Sequence, residues 1–161
     1  MQNFNQSTDL NSIVMIIYTD GACKGNPGSG GWGAVLLYKN HEKQLYGSEK
    51  NTTNNRMELM AVIKALQALN RPCNIKIYTD SKYVQNGMLS WLEGWKKNNW
   101  KNSKKQEVKN IDLWKILDVE AQKHSIEWCW VKGHNGDKYN ELADELANKG
   151  AAENAENFTA E

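Results

Sequence analysis

The stretch VMIIYTD, residues 14–20, ends in four residues, Ile17 to Asp20, that return as Ile77 to Asp80 within IKIYTD (75–80). Each stretch is an apolar run of strand length that closes on an aspartate. The first, apolar without interruption, reads as a central strand covered on both faces. Two copies are too few for a repeat architecture. If the two strands lie side by side and parallel, Asp20 and Asp80 emerge at one level of the sheet. Ligand sites in open α/β sheets favour the carboxyl ends of strands, so that level is where to look for chemistry. A lone aspartate after a strand ordinarily starts a turn; two at matched strand ends weigh more.

Working outward, a glycine-rich turn is expected from Gly21 to Gly30, followed by a strand alternating from Trp32 to Tyr38. Lys39-Asn40-His41 reads as a hairpin turn and Lys43 to Ser48 as a weakly alternating return strand. From Thr52 to Leu69 the period changes: Leu59, Val62, Ile63, Leu66 and Leu69 form the buried stripe of an amphipathic helix, which Arg71-Pro72 ends. After the strand Ile75 to Thr79, Ser81 is placed to cap a short helix through Tyr83 and Val84. Trp91, Leu92 and Trp95 give another helical piece, interrupted at Asn98-Asn99. Ile111, Trp114, Leu117 and Ala121 define a further helix. Ile126, Trp128 and Trp130 alternate as a final strand, Gly133 to Asp137 is a loop, and Asn140 to Lys149 is a last helix. The order βββ-α-β-α-α-α-β-α describes an α/β domain with a mixed five-stranded sheet flanked by helices.

A chain of 161 residues fits one domain, expected over residues 13–151, with a polar N-terminal extension (1–12) and a polar, acidic, loose tail (152–161). No apolar run approaches the roughly 20 residues that cross a bilayer, and Met1 to Ser12 lacks the apolar region of a secretory signal. Cys23, Cys73 and Cys129 are odd in number and widely spaced, which supports neither a zinc site nor a disulfide framework. A cytoplasmic, soluble protein is expected. The total charge is only +1, but between Lys96 and Lys109 six lysines stand against the lone Glu107. That segment is +5, leaving the rest at −4. A basic patch on a mildly acidic body attracts a polyanion to one chosen face.

Glu58 lies at the border of the apolar stripe of its helix, and Asp144 stands in the same relation to Leu142 and Ala143. Each alone has an easy explanation as a solvated side chain. Together with Asp20 and Asp80 they offer carboxylates from several elements. Such groups, brought together, repel and raise one another's pKa unless a cation joins them. Mg²⁺, a hard ion taking oxygen ligands, is the natural occupant, and a pair of such ions serves phosphodiester hydrolysis.

The segments TDGACKGNPGSGGWG (19–33), TTNNRMELMA (52–61), YTDSKYV (78–84), WKKNNWKNSKKQEVKNIDLW (95–114), WVKGHNG (130–136) and NELADELA (140–147) resemble bacterial type 1 ribonuclease H, in that family's order. The resemblance implies the ribonuclease H-like fold and an endonuclease that cleaves the RNA strand of an RNA–DNA hybrid. It implies a monomer that needs no protein partner and no membrane, with Mg²⁺ as cofactor and Mn²⁺ as a substitute. By it, Asp20, Glu58, Asp80 and Asp144 are the metal-binding catalytic carboxylates, and His134 assists proton transfer or product release. It places Cys23 and Asn26 at the RNA minor groove, with Asn54 and Asn55 reaching bases or sugars. Thr53 and Asn110 belong to a pocket for a DNA phosphate. Trp91, Trp95, Lys96, Lys97 and Trp100 belong to a basic protrusion that grips the DNA strand. Lys82 departs from the family, where Gln is frequent.

Gly28-Ser29-Gly30-Gly31-Trp32-Gly33 also fits the G-x-G-x-x-G expression of dinucleotide-binding proteins. That fingerprint opens a helix and precedes an acid about 20 residues on; here it leads into a strand and no suitable acid follows. A hybrid-binding module without catalysis is the other rival, and it gives no reason for four carboxylates.

Overall fold

The computed structural model describes residues 14–131 and 137–160 and, for 154–160, the backbone path alone. Three strands open the chain: β1 (Val14–Gly25), β2 (Gly28–Tyr38) and β3 (His41–Thr52). Helix α1 (Asn54–Gln67) leads to β4 (Asn74–Thr79). Then follow α2 (Lys82–Asn86), a π-helical turn (Gly87–Trp91), α3 (Leu92–Lys97), α4 (Ile111–Gln122), β5 (Ser125–Trp130) and α5 (Lys138–Ala160). The sheet has the order β3-β2-β1-β4-β5. Its β3-β2-β1 part is antiparallel and its β1-β4-β5 part parallel, the mixed α/β sheet expected.

The two IYT copies lie side by side, Ile17 opposite Ile77 and Tyr18 opposite Tyr78. Successive side chains take opposite faces. Ile17 enters the larger core with Leu59, Val62, Leu66, Trp114 and Leu117 from α1 and α4, while Tyr18 joins Val35, Ala143 and Leu146 under α5. Burial on both faces is why residues 14–18 of β1 are apolar without interruption. Tyr18 stacks on Tyr78 at 4.8 Å between ring centres, which fixes this register on the α5 side.

Three expectations need correction. β1 does not stop at Asp20. It leaves β4 after Tyr18 but stays paired with β2 as far as Gly25 opposite Gly28, so the turn is Asn26-Pro27 and most of the expected turn from Gly21 to Gly30 is strand. The composition signalled a turn, whereas Gly21 serves the close approach of α1. α1 ends at Gln67, short of Leu69. The last helix runs to Ala160, not Lys149, so residues 152–160 are helical where a loose tail was expected. Its alanine and glutamate content favours helix. The extension also lies on edge strand β3, where the Ser48 hydroxyl donates to the Gly150 carbonyl (2.6 Å) and the Tyr46 hydroxyl to Glu153 Oε1 (2.9 Å). Residues 1–12 lie outside the described residues.

Local side-chain chemistry starts two of the helices, the second as expected. Thr53 caps α1 by accepting from the Arg56 N–H at 3.2 Å, and Ser81 caps α2 by accepting from that of Val84 at 3.1 Å. Among the described residues no helix is long and apolar enough to cross a membrane. Gly94, inside α3, has open space where a Cβ would stand. Gly94→Ala is therefore expected to stabilise the fold by about 0.5–1 kcal/mol, read as a rise in denaturation midpoint at unchanged m-value; a fall would show that the site is strained.

Candidate active site

Asp20 stands on β1 opposite Gly33, two residues past the end of the β1–β4 pairing, and Asp80 is the first residue beyond β4. The parallel strands thus deliver both carboxylates to one end of the sheet. Glu58 comes from the second turn of α1. That helix lies close against β1 because residue 21 is glycine: a Cβ there would stand 2.6 Å from the Glu58 nitrogen. Carboxylate oxygens of Asp20, Glu58 and Asp80 lie within 4.8 Å of one another. Asp144, in α5 beside the buried Ala143, comes close to Asp20, and its carboxyl group adds to raising that residue. The Asn148 amide donates to Asp144 Oδ1 (3.2 Å) and to its carbonyl (2.9 Å).

Asp20 and Glu58 are only 4% and 7% exposed. Burial, and secondly the Asp80 charge, push Asp20 up to about 8. Burial likewise raises Glu58 well above the carboxylate range, with the Asp20 and Asp80 charges adding to it. Glu58 Oε1 is buried without a hydrogen-bond partner among the described residues, a costly state for a polar atom. An all-oxygen set of mutually repelling carboxylates with an orphaned oxygen fits a hard divalent cation, Mg²⁺ or Mn²⁺.

A second group lies beside the first. The Arg56 guanidinium pairs with Asp112 through two bonds (3.0 and 2.8 Å) and also donates to Asn110 Oδ1 (3.3 Å). Through Arg56, capped by Thr53, the predicted phosphate-pocket residues Thr53 and Asn110 are brought together. Asn26 Oδ1 accepts from the Asn54 N–H (3.2 Å), which joins the β1–β2 turn to α1, and Asn55 is exposed on the same helical turn. Cys23 Sγ sits against the carbonyls of Thr52 (3.3 Å) and Gly28 (3.6 Å), inside the hairpin.

Farther out, the rings of Trp91, Trp95 and Trp100 follow one another at 5.8 and 6.4 Å, with Trp95 edge-on to the buried Trp114 at 5.2 Å. Trp91 is 39% exposed, whereas Trp95 and Trp100 pack against the core. Lys96 pairs with Asp118 at 3.3 Å, while Lys97, Lys101, Lys104, Lys105 and Lys109 are exposed. Lys82 lies over the Trp130 ring (5.1 Å), whose indole N–H donates to the Asp80 carbonyl (3.2 Å). His134 lies outside the described residues. Sequence reasoning missed Arg56, Tyr83, Trp130 and Asn148. Arg56, in TTNNRMELMA, was legible only as a possible surface cation, since its partner Asp112 is 56 residues away.

A mixed sheet that gathers buried carboxylates at the carboxyl ends of parallel strands defines a divalent-metal-dependent hydrolase of the nuclease class. The RNase H family model matches residues 12–152. The chain is 66% identical over 139 residues to a ribonuclease H of Francisella tularensis subsp. novicida, covering 86% of this chain and 91% of that one. It is 63% identical over 135 residues to a ribonuclease H of Chromobacterium violaceum, covering 83% and 92%. Among solved structures it is similar to LC9-RNase H1, a type 1 RNase H with the type 2 active-site motif. The TM-score there is 0.80 and the identity 32%, over 88% of this chain and 74% of that one. The chain belongs to the bacterial ribonuclease H type 1 family.

Proposed function

We propose that this chain is an endonuclease hydrolysing the RNA strand of RNA–DNA hybrids, with Asp20, Glu58, Asp80 and Asp144 holding its divalent metal. The observation that carries this reading is the convergence of three of those carboxylates within 4.8 Å, in a chain of this family. When bound, the metal supplies charge to activate water and to stabilise the leaving oxygen. Buried Asp20 and Glu58 fix its place on strand and helix, Asp80 supplies an oxygen from the neighbouring strand end, and Asp144 closes the group from α5. His134 takes the role of proton transfer or product release, which suits an imidazole.

Cys23, Asn26, Asn54 and Asn55 face the RNA strand in this proposal, and the 2′-hydroxyl is what separates that strand from DNA. Thr53 and Asn110 hold a DNA phosphate, and Trp91, Trp95, Lys96, Lys97 and Trp100 grip the DNA strand. The tie between Lys96 and Asp118 makes Lys97 and the loop lysines the freer cations. Phosphate contacts position without reading sequence, so cleavage is largely independent of sequence. The protein acts as a cytoplasmic monomer.

Cleavage of labelled hybrid in Mg²⁺, beside single-stranded RNA, duplex RNA and duplex DNA, tests the proposal. Hybrid-only cleavage abolished by chelation is expected; tight binding without cleavage in Mg²⁺ or Mn²⁺ refutes it. If the lysines neutralise about three phosphates, log affinity falls against log salt with a slope of about −2.7, and a fourfold rise in salt weakens binding roughly 40-fold. A slope near zero would remove the basic segment from the interface.

A further inference from the structure

Asn110 begins α4 in the left-handed region (φ 60°, ψ 31°) and makes no side-chain capping bond to its helix. An asparagine at a helix start ordinarily spends its side-chain oxygen on that helix. Here both ends of the amide are held elsewhere: Oδ1 accepts from Arg56 Nη1 at 3.3 Å, and Nδ2 donates to the Tyr83 hydroxyl at 3.0 Å. The same hydroxyl accepts from the Trp114 indole N–H at 3.0 Å. The phenol oxygen thus sits between two N–H donors.

The ring of Tyr83 is wedged between the same partners. It lies edge-on to Trp91 (6.0 Å) and tilted against Trp114 (5.3 Å). Tyr83 itself stands in the first turn of α2, which starts just after Asp80 and is capped by Ser81. A single side chain thus touches Asn110, the exposed Trp91 and the buried Trp114, on a helix rooted at the carboxylate end of β4. Trp114 is fully buried, so its indole N–H is a fixed point from which the hydroxyl is aimed.

We propose that Tyr83 is a positioning residue whose hydroxyl orients the Asn110 amide toward a DNA-strand phosphate, setting that strand in register with the carboxylates. This rests on the hybrid-cleaving reading above. An amide nitrogen has two hydrogens: Tyr83 takes one, which turns the other to the phosphate. Arg56 holds the opposite end, so the amide plane is fixed at two points before substrate arrives. An amide oriented in advance loses less freedom on binding.

The test is Tyr83→Phe, which removes one oxygen and keeps the ring. KM for hybrid is expected to rise roughly tenfold, the worth of about one hydrogen bond, with kcat within about twofold. A purely structural role would lower the melting temperature without this split. The decisive readout is binding in chelator to hybrids bearing one neutral methylphosphonate at successive DNA-strand positions. Wild type is expected to show one position of marked sensitivity, lost in Tyr83→Phe and in Asn110→Ala, with the double variant no worse than Asn110→Ala. Retention of that sensitivity and of KM in Tyr83→Phe, or additive losses in the double variant, overturns the proposal. A wild type that cuts hybrid but shows no sensitive position overturns this inference alone; one that neither cuts nor binds hybrid overturns the underlying reading as well.

Discussion

Asp20→Asn is expected to abolish hybrid cleavage, by on the order of a thousandfold or more, while making the metal-free protein more stable than wild type. The two effects share one cause. Asp20 is held up at about 8, first by burial and second by the Asp80 charge, against an ordinary value near 4 in the unfolded chain. Between those values the folded protein keeps a proton that the unfolded chain has released. Stability of the metal-free fold therefore falls as pH rises from about 4 to about 8, and Asp20 contributes no further change above that. Glu58, raised by burial and by the Asp20 and Asp80 charges, pulls the same way.

A neutral amide at residue 20 removes one member of the repelling set, so the gain at pH 8 is on the order of a few kcal/mol. In a domain of this size that is a rise of roughly 5–10 °C in melting temperature. A metal that binds only the folded form stabilises wild type by about 2.7 kcal/mol at a hundredfold excess over its Kd, and the variant by less. Melts at pH 5 and pH 8, in chelator and in Mg²⁺, check all of this. A variant that melts no higher than wild type in chelator at pH 8 would show that the carboxylates do not repel in the fold.

Gly31→Ala is expected to cost about 3 kcal/mol and to lower kcat on the order of a hundredfold. A Cβ at residue 31 would fall inside the backbone of Ala147 and Ala151, and one at residue 33 would press on Ala143 and Leu146. Helix α5 therefore lies directly on the backbone of β2, with Gly150 closing against Gly47 of β3 in the same way. Alanine at residue 31 forces the helix outward, and that helix carries Asp144. With Asp144 holding metal as proposed, a displacement of about 1 Å is enough for such a loss. The melting temperature and kcat should fall together, whereas Gly94→Ala raises the first and leaves the second. A Gly31→Ala protein that melts within about 2 °C of wild type would contradict this close packing.

These two variants also show what the sequence disclosed. The alignment of Ile17 with Ile77 was readable because strands covered on both faces must be apolar throughout, and identical strand ends suggested one level for Asp20 and Asp80. The cap Ser81 was readable because capping is local. Gly31 was not, since nothing in its neighbours along the chain shows that it admits a helix more than a hundred residues later. Glu58 and Asp144 were weak singly, because a helical acid looks alike whether it faces water or three other carboxylates. Family resemblance, rather than periodicity, singled them out. Tyr83 and Arg56 escaped because their partners, Asn110 and Asp112, come from a distant segment.

The four carboxylates are spread from residue 20 to residue 144, and the last is carried by the helix that docks on β2 and β3. A chain emerging from the ribosome therefore holds no complete site until α5 has been made and has folded back across strands synthesised long before. On the proposed reading, the group that would hold the metal stays incomplete for most of the chain's own translation and is closed only by its last helix.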